Sequence, residues 1–257
     1  MIIRRLRNKL YLTKQATRGY TRVLRDKSKF RQSASISDHK ADFPFGKNSF
    51  QYNDFDDEGG VASGHYFHQD LFVARRIFEN QPIRHIDVGS RIDGFVAHVA
   101  TFRTIEVLDT RAVSSDVPGI SFRQADLMNL PAEYVNCTDS LSCLHTLEHI
   151  GLGRYGDKID FDGWSLALQN LWKMLEAGGI LYLSVPTGKV QRVEFNAHRV
   201  FSVEYLSPIL MEKFKVNDIS FVDDSGSLHQ NLSMSSDLLL RSFDSSYGLS
   251  IWTLEKR

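Results

Sequence analysis

The chain has 257 residues, 42% of them hydrophobic, and a formal net charge of zero, which suits one large α/β domain with a smaller appendage. No apolar run reaches the roughly 20 residues that a membrane-spanning helix needs. The opening residues also lack the apolar stretch and cleavage site of a secretory signal. Cys137 and Cys143 provide no disulfide framework and no paired-cysteine metal motif. These features predict a reduced, cytoplasmic protein.

The neutral net charge hides a basic N-terminal arm. Residues 1–31 contain eleven Lys or Arg residues and a single acid, Asp26. Mostly apolar side chains recur there at spacings of three and four, namely Ile3, Leu6, Leu10, Thr13, Thr17, Tyr20 and Leu24. This spacing predicts a basic amphipathic helix that lies on an anionic membrane surface, docks on an acidic partner or subunit, or stays solvated. The acidic remainder of the chain argues against a large nucleic-acid surface.

Residues 28–63 are rich in Ser, Asp, Asn and Gly and show no periodicity. They predict a linker that becomes a covering segment near Phe43–Phe55. We therefore expect an arm, linker and cap over residues 1–63 and one main domain over residues 64–257. The oligomeric state is left open.

From Tyr66 onward, helical and strand patterns alternate. The predicted strands are Ile83–Val88, Thr104–Asp109, Ile120–Arg123, Asp139–Leu144, Ile180–Val185, Val216–Val222 and Leu249–Leu254. Predicted helical segments separate them: Tyr66 to about Gln81, Phe95–Phe102, a turn at His145–Ile150, Trp164–Leu175 and Val203–Phe214. This alternation predicts an α/β fold with a doubly wound, mostly parallel sheet. The last strand follows no strong helix, so it is expected to insert antiparallel.

A glycine turn after the first predicted strand marks a candidate nucleotide site. Asp87 and Gly89 end the strand and Gly94 opens the next helix, whose first N–H groups are free to bind a ligand. Asp109 ends the second strand, where its carboxylate can accept hydrogen bonds from both hydroxyls of a ribose. A dinucleotide fingerprint needs glycine where this chain has Arg91. Arg91 instead suits the carboxylate of S-adenosylmethionine.

Six segments resemble class I S-adenosylmethionine-dependent methyltransferases: HIDVGSRIDG (85–94), EVLDT (106–110), QADLMNLP (124–131), DSLSCLHTLEHIG (139–151), LWKMLEAGGILYLSVP (171–186) and AHRVFSVEYL (197–206). The resemblance covers roughly residues 64–257 and implies a seven-stranded sheet in the order 3-2-1-4-5-7-6, with strand 7 antiparallel. It implies S-adenosylmethionine as the cofactor, with Asp126 and Leu127 at the adenine and Ser142–Leu144 at the methionine end. The candidate cofactor residues are Asp87, Gly89, Ser90, Arg91, Gly94, Asp109, Asp126, Leu127 and Leu144. The chain departs from the family in its first motif, where D-x-G-x-G-x-G becomes DVGSRIDG.

Three ionisable residues follow the fourth predicted strand. His145, Glu148 and His149 share one face of a helical turn at the ligand-binding edge of the sheet. A neutral histidine can remove the proton from a hydroxyl acceptor. We predict His149 as the base, oriented by a neighbouring acid, with His145 as the second candidate. A purely structural role for the pair at 148–149 is the alternative.

The same residues leave a metal site open. Together with His198 they offer four nitrogen and oxygen ligands: His145, Glu148, His149 and His198. This set resembles the metal-dependent small-RNA 2′-O-methyltransferases, although those enzymes have Glu where this chain has His145. A non-catalytic methyltransferase-like scaffold, with Arg91 marking a degraded pocket, is the other alternative.

Two segments are candidates for binding the acceptor, together with His198. The loop GLGRYGD (151–157) has three glycines beside Arg154 and Tyr155, which suit an anion or a sugar, whereas an ordinary turn is the alternative. The segment GHYFHQD (64–70) opens a helix and suits a lid; its candidates are Tyr66, His68 and Asp70, with core packing of the aromatic rings as the alternative.

Two longer stretches, HYFHQDLFVARRI (65–77) and LEHIGLGRYGD (147–157), resemble a mainly bacterial methyltransferase-like group associated with surface-polysaccharide gene clusters. This resemblance implies methylation of a sugar, a nucleotide-sugar or a lipid-linked glycan. It also implies a cytoplasmic enzyme that is peripheral on the inner face of the membrane, with the basic arm as the contact.

Overall fold

The computed structural model describes residues 2–114 and 116–257, with side chains from residue 16 onward. The chain divides into two compact units, residues 1–61 and 62–257. None of the described helices has the length and apolarity that crossing a bilayer requires.

The first unit is one long helix with an irregular segment folded against it. Helix α1 (Ile2–Ser35) confirms the predicted N-terminal helix and extends past it, so the prediction of a linker over residues 28–35 is wrong. Lys, Arg, Gln and Ala in that stretch are good helix formers, which explains the extension. Four residues of the predicted stripe (Ile3, Leu6, Leu10 and Thr13) lie outside the described side chains.

Residues 36–61 form no helix or strand, and their aromatic rings pack on α1. The ring centroid of Tyr20 is 6.0 Å from that of Phe50, and the Arg22 guanidinium lies 4.0 Å from the ring centroid of Phe55. A Cβ at Gly19 would lie 1.8 Å from the carbonyl oxygen of Tyr52, so this approach requires glycine. The predicted covering segment therefore covers α1.

The second unit is a mixed sheet flanked by helices. Its helices are α2 (His65–Asn80), α3 (Ala97–Ala100), α4 (Gly163–Met174), α5 (Val203–Lys213) and α6 (Asp237–Leu240). Its strands are β1 (His85–Val88), β2 (Ile105–Asp109), β3 (Ile120–Gln124), β4 (Thr138–Leu144), β5 (Leu175–Thr187), β6 (Arg192–Glu194), β7 (His198–Val200), β8 (Phe214–Val222), β9 (Leu228–His229) and β10 (Gly248–Lys256).

The strand order of the main sheet is β3-β2-β1-β4-β5-β10-β8-β9. Strands β1 to β5 are parallel to one another, whereas β10 is antiparallel to both β5 and β8. The predicted order 3-2-1-4-5-7-6 and the antiparallel last strand are thus confirmed. The sheet has eight strands rather than seven, because the two-residue β9 pairs with β8 at the edge. A small hairpin of β6 and β7 was also not predicted.

Two apolar layers cover the two faces of the sheet. One packs α4 and α5 through side chains such as Leu171 and Leu206, and the other packs α2 and α3 through Ile77 and Val99. Helices on both faces leave the carboxyl ends of the parallel strands as the open edge, which is where doubly wound folds bind ligands.

Candidate active site

A cavity of about 840 Å³ opens at the carboxyl ends of β1, β2 and β4. Its size is within the range of small-molecule sites. Most of the predicted site residues line it: Gly89, Ser90, Arg91, Asp109, Asp126, Leu127 and Leu144 at one end, and Tyr66, His145, His149, Arg154, Tyr155 and His198 at the other. Residues from six separate segments of the sequence therefore meet at one edge of the sheet.

The turn after β1 brings two loops into contact. Gly89 has φ +71, and a Cβ there would lie 2.6 Å from Cγ2 of Thr146, which follows β4. The N–H of Gly89 donates to the carbonyl of Leu108 at 2.9 Å. The predicted helix at Phe95–Phe102 begins earlier, with a π-helical turn over Ile92–Val96. Glycine at position 89 is thus needed for the close approach of the turn to its neighbours.

Asp109 ends β2 at the cavity wall, and its carboxylate forms an ion pair with Arg111. Arg111 Nε donates to Oδ1 at 2.9 Å and Nη2 donates to Oδ2 at 2.7 Å. The backbone N–H of Arg111 donates to Oδ1 as well. Both Asp109 oxygens were expected to accept hydrogen bonds from ribose hydroxyls. They already accept hydrogen bonds from the Arg111 guanidinium.

Asp126 and Leu127 line the cavity beyond the end of β3. The Asp126 carboxylate accepts from the N–H of Met128 at 2.9 Å, and Asn170 Nδ2 donates to the carbonyl of Leu127 at 2.8 Å. Ala125 adds apolar surface next to them. These contacts fix a flat, partly apolar wall.

Some predicted residues lie behind the cavity wall. Asp87 is fully buried, accepts from the N–H and the hydroxyl of Ser90 and from the hydroxyl of Ser142, and burial raises its pKa to about 6. It holds the turn after β1 and does not line the cavity. A Cβ at Gly94 would lie 2.5 Å from Oδ2 of Asp70, so these two residues pack on each other below the site.

Two expected acceptor contacts do not reach the cavity. His68 bonds through Nε2 to the carbonyl of Gly226, and Asp70 accepts from Gln69 Nε2 in the interior. Tyr66 lies on the cavity wall, where its ring centroid is 4.9 Å from that of His145. The Arg91 guanidinium lies 4.9 Å from the Tyr66 ring centroid. Arg91 also donates to both carboxylate oxygens of Asp93.

A buried cluster of histidines surrounds Glu148 at the other end of the cavity. The Glu148 side chain is fully buried; His145 Nδ1 donates to its Oε1 at 2.7 Å, and His149 Nε2 lies 3.6 Å from that oxygen. Oε2 has no hydrogen-bond partner among the described residues. The predicted helical turn is a single 3-10 turn at Leu147–His149, with His145 outside it at φ +53. A buried carboxyl group is costly unless it is hydrogen-bonded or paired, and His145 provides that contact.

His65 extends this cluster next to His145. His65 Nδ1 lies 3.2 Å from His145 Nε2, and the two rings stack with their centroids 5.3 Å apart. Burial, and then the charge of His145, lower the pKa of His65 to about 4, so His65 is neutral.

The hydrogen bond of His149 indicates which of its ring nitrogens carries the proton. Its Nδ1 donates to the carbonyl of Ala197 at 2.7 Å, and burial lowers its pKa below the ordinary value. A neutral ring that donates from Nδ1 carries its lone pair on Nε2. His149 thus presents the unprotonated nitrogen of the cluster.

The loop over residues 151–157 is held by one carboxylate. Asp157 accepts hydrogen bonds from the backbone N–H groups of Gly151, Gly153 and Tyr155 at 2.7, 3.3 and 3.2 Å. The two glycines have φ of +82 and +69, and a Cβ at Gly151 would lie 2.1 Å from the carbonyl oxygen of Asp160. The loop places Arg154 on the cavity wall, where Nη1 donates to the carbonyl of Ala197 at 2.8 Å.

No group of three or more His, Cys, Asp or Glu side chains in residues 16–114 and 116–257 is arranged to hold a metal ion. In the four-ligand set considered from the sequence, Nδ1 of His149 bonds to a backbone carbonyl and Nδ1 of His145 bonds to Glu148. Nε2 of His198 lies 3.2 Å from Oε2 of Glu194. His145 and His149 therefore both face Glu148, whereas His198 pairs with Glu194 outside the set.

Comparison with protein families gives one match. The family described as "Caenorhabditis protein of unknown function, DUF268" matches residues 99–239, which is more than half of the chain. The chain belongs to this family. The DUF268 range contains Asp109, the histidines after β4, the loop that carries Arg154, and His198. A comparison with curated proteins finds no match.

Solved structures share the fold of this DUF268 protein. The [4+2]-cyclase SpnF is 16% identical, with a TM-score of 0.51 over 74% of this chain and 80% of that one. The Burkholderia thailandensis 1,6-didemethyltoxoflavin-N1-methyltransferase, solved with its acceptor and S-adenosylhomocysteine, is 14% identical, with a TM-score of 0.51 over 73% and 78%. The N-methyltransferase NodS from Bradyrhizobium japonicum is 14% identical, with a TM-score of 0.50 over 76% and 99%. The fold is therefore the Rossmann-like methyltransferase fold.

Three residues of the DUF268 protein's site were not singled out from the sequence. They are Arg111 on Asp109, His65 on His145, and Tyr247, whose ring centroid is 5.0 Å from that of His198. Tyr247 immediately precedes β10, and burial and the charge of Glu148 raise its pKa to about 12. An antiparallel strand begins at the edge where its parallel neighbours end, so this position was a signal that sequence reasoning could have used.

Proposed function

We propose that this chain is an S-adenosylmethionine-dependent methyltransferase that methylates a hydroxyl group of a sugar or of a sugar-bearing small molecule. The observation that carries the proposal is the cavity at the carboxyl edge of the sheet, which has Asp109 at one end and an unprotonated His149 at the other. The Burkholderia methyltransferase of the same fold was solved with S-adenosylhomocysteine, which supports the same cofactor class here.

The residues at the Asp109 end fit the cofactor. The glycine turn at Gly89 offers backbone for the methionine portion, Asp109 accepts the ribose hydroxyls once Arg111 releases it, and Asp126 and Leu127 edge the adenine. When bound, S-adenosylmethionine supplies a methyl group on a sulfonium, so holding the acceptor in line gives most of the rate. Arg91 lies close enough to the turn to meet a carboxylate.

At the other end, His149 acts as the base. Nε2 takes the proton of the acceptor hydroxyl, and the imidazolium that forms lies 3.6 Å from the Glu148 carboxylate. His145 holds Glu148 in place through the 2.7 Å contact between His145 Nδ1 and Glu148 Oε1. Tyr66, Tyr155 and Tyr247 supply flat rings of the kind that bind sugars.

Calorimetry tests the cofactor assignment. Titration of the full chain with S-adenosylhomocysteine is expected to give saturable heat in the wild type and at least about tenfold weaker binding in Asp109→Asn, with Asp237→Asn, on the short helix α6, as the matched surface control. A folded protein that gives no heat would favour a scaffold. Transfer of a labelled methyl group to a panel of nucleotide-sugars and glycans then tests the reaction. Cofactor binding with no transfer to any acceptor would favour another chemistry on this fold, as the cyclase shows is possible.

We infer that the basic arm attaches the protein to an anionic lipid surface. The described part of α1 carries Arg18, Arg22, Arg25, Lys27, Lys29 and Arg31 with Asp26 as its only acid, and each basic residue near such a surface contributes about 1 kcal/mol. Sedimentation with phosphatidylglycerol vesicles is expected to pull down the wild type at low salt. Neutral phosphatidylcholine vesicles, and a variant with Arg18, Arg22 and Arg25 changed to Gln, are expected to bind weakly. Equal binding to both vesicle types would contradict the inference.

A further inference from the structure

Three arginines line the cavity, and they differ in their partners. Arg91 pairs with Asp93 at 2.8 Å and Arg111 pairs with Asp109 at 2.7 Å. Arg154 has no carboxylate partner among the described residues. Its Nη1 donates a hydrogen bond to the backbone carbonyl of Ala197 at 2.8 Å. One guanidinium at the acceptor end therefore keeps its positive charge uncompensated.

The position of Arg154 is fixed by the loop that carries it. Asp157 would be the nearest acid by sequence, yet its carboxylate is taken up by the backbone N–H groups of residues 151, 153 and 155. The same carboxylate that could have neutralised Arg154 thus shapes the loop that presents it. The Arg154 guanidinium also lies 5.1 Å from the ring centroid of Tyr155, which limits its freedom further. An arginine that is merely solvated has no such supports.

Arg154 lies beside the proposed base. The carbonyl of Ala197 accepts from both His149 Nδ1 and Arg154 Nη1, and these two nitrogens are 3.3 Å apart. The guanidinium and His149 line the same cavity, which puts Arg154 within reach of a substituent next to a hydroxyl that meets His149. The Arg111 guanidinium lies 4.5 Å from the ring centroid of the same Tyr155, so a second cation is near.

We propose that the acceptor carries an anionic oxygen group, a phosphate or a carboxylate, close to the hydroxyl that is methylated, and that Arg154 binds it. A guanidinium forms two parallel hydrogen bonds to either group, which makes it a selective partner. This inference rests on the proposed function, since it names the class of acceptor for the same site.

The test uses the full chain saturated with S-adenosylhomocysteine and three sugar probes: glucose 1-phosphate, glucuronate and neutral glucose. Calorimetric titration is expected to show at least one anionic probe binding about tenfold or more tightly than glucose. Arg154→Gln is expected to remove that preference, and Arg154→Lys is expected to keep part of it. Arg241→Gln, which removes the same charge from a surface site outside the cavity, is expected to behave as wild type. The two anionic probes distinguish a phosphate from a carboxylate.

Two results would overturn the anionic acceptor. One is that neither anion binds more tightly than glucose, and the other is that Arg154→Gln retains the wild-type preference. The heat of S-adenosylhomocysteine binding is measured on the same protein beforehand. If that heat is absent, the proposed function itself fails; if it is normal and no anion preference appears, only the acceptor class is wrong.

Discussion

His149 is the side chain on which the proposed proton transfer depends. Its Nδ1 donates to the carbonyl of Ala197, so replacement by Ala removes the Nε2 lone pair that is proposed to act as the base. We expect His149→Ala to lower kcat by about 10²–10⁴-fold, the usual contribution of a positioned base, while the affinity for S-adenosylhomocysteine stays unchanged. His39→Ala, an exposed histidine in residues 1–61, is the control. Wild-type turnover in His149→Ala would contradict the assignment.

The pH profile of turnover gives an independent check on His149. The base acts when unprotonated, and burial lowers the pKa of His149 below its ordinary 6.5. Turnover is therefore expected to be full at pH 7 and to fall only as the pH drops below 6.5, through the folded-state pKa. A profile whose acid limb lies above pH 7 would indicate a different base.

Arg111 pairs with Asp109, the residue proposed to bind the ribose of the cofactor, and is therefore expected to compete with it. The pair is partly exposed at Arg111, and such pairs contribute up to about 1 kcal/mol. Arg111→Met removes this competitor, so we expect S-adenosylhomocysteine to bind up to about fivefold more tightly by calorimetry. Arg123→Met, on an exposed part of β3, serves as the matched control. Weaker binding in Arg111→Met would mean that the guanidinium contributes to the cofactor site.

For single residues, the sequence predicted which side chains line the cavity better than it predicted their hydrogen-bond partners. His145 and His149 were singled out because they follow a parallel strand, and Arg154 because it lies in a loop with three glycines; all three line the cavity. The hydrogen bond of His149 Nδ1 could not be predicted, since its acceptor is the carbonyl of Ala197, which is distant in sequence. His68 was chosen because it lies in the segment expected to form a lid, but its ring bonds to the carbonyl of Gly226.

The close packing of the loop over residues 151–157 can be tested by adding one methyl group to a glycine. Gly151→Ala adds a Cβ 2.1 Å from the Asp160 carbonyl oxygen at φ +82. We expect the free energy of unfolding to fall by on the order of 2–3 kcal/mol and the KM for the acceptor to rise, because the loop that holds Arg154 must shift. Gly156→Ala, where the backbone is also left-handed but no atom lies within 4 Å, is the comparison. A smaller loss of stability in Gly151→Ala than in Gly156→Ala would contradict the role of close packing.

Among the elements, the long apolar strands were predictable and the short polar ones were not. β4 and β10 are buried along almost their whole length, so their apolar runs are visible in the sequence. β6 and β7 are three residues each, and β6 is mostly exposed, with residues such as Arg192 and Glu194. Their pairing depends on the loops that bring them together, and no hydrophobic periodicity in the local sequence indicates it.

For the whole molecule, the alternation of strands and helices predicted a doubly wound, mostly parallel sheet. Its strand order was implied by the resemblance to class I methyltransferases. The acceptor could not be inferred in the same way, since its contacts come from α2, the loop after β4, β7 and the residue before β10. These four segments meet only in the folded chain. The cofactor end, built from the ends of adjacent strands, was therefore more predictable than the acceptor end.

Stability toward acid is a property of the whole sheet domain, and His85 in β1 is expected to limit it. His85 is buried between the hydroxyls of Ser140 and Ser142, and burial lowers its pKa to about 3. Its folded-state pKa lies below the unfolded value of about 6.5, so the unfolded chain binds the proton first and stability falls as the pH drops below 6.5. Between pH 7 and pH 5 this effect costs about 2 kcal/mol.

His85→Gln keeps hydrogen-bonding groups between the two serines and removes the titration. Asp87 acts in the opposite sense, because its pKa is raised to about 6 and its protonation favours the folded state on acidification, but it does so in both proteins. The difference between wild type and His85→Gln therefore isolates the histidine. Urea unfolding followed by tryptophan fluorescence reports on residues 62–257, which contain all three tryptophans. We expect the loss of unfolding free energy from pH 7 to pH 5 to be about 2 kcal/mol smaller in the variant, whereas equal losses would show that His85 becomes charged without disturbing the sheet.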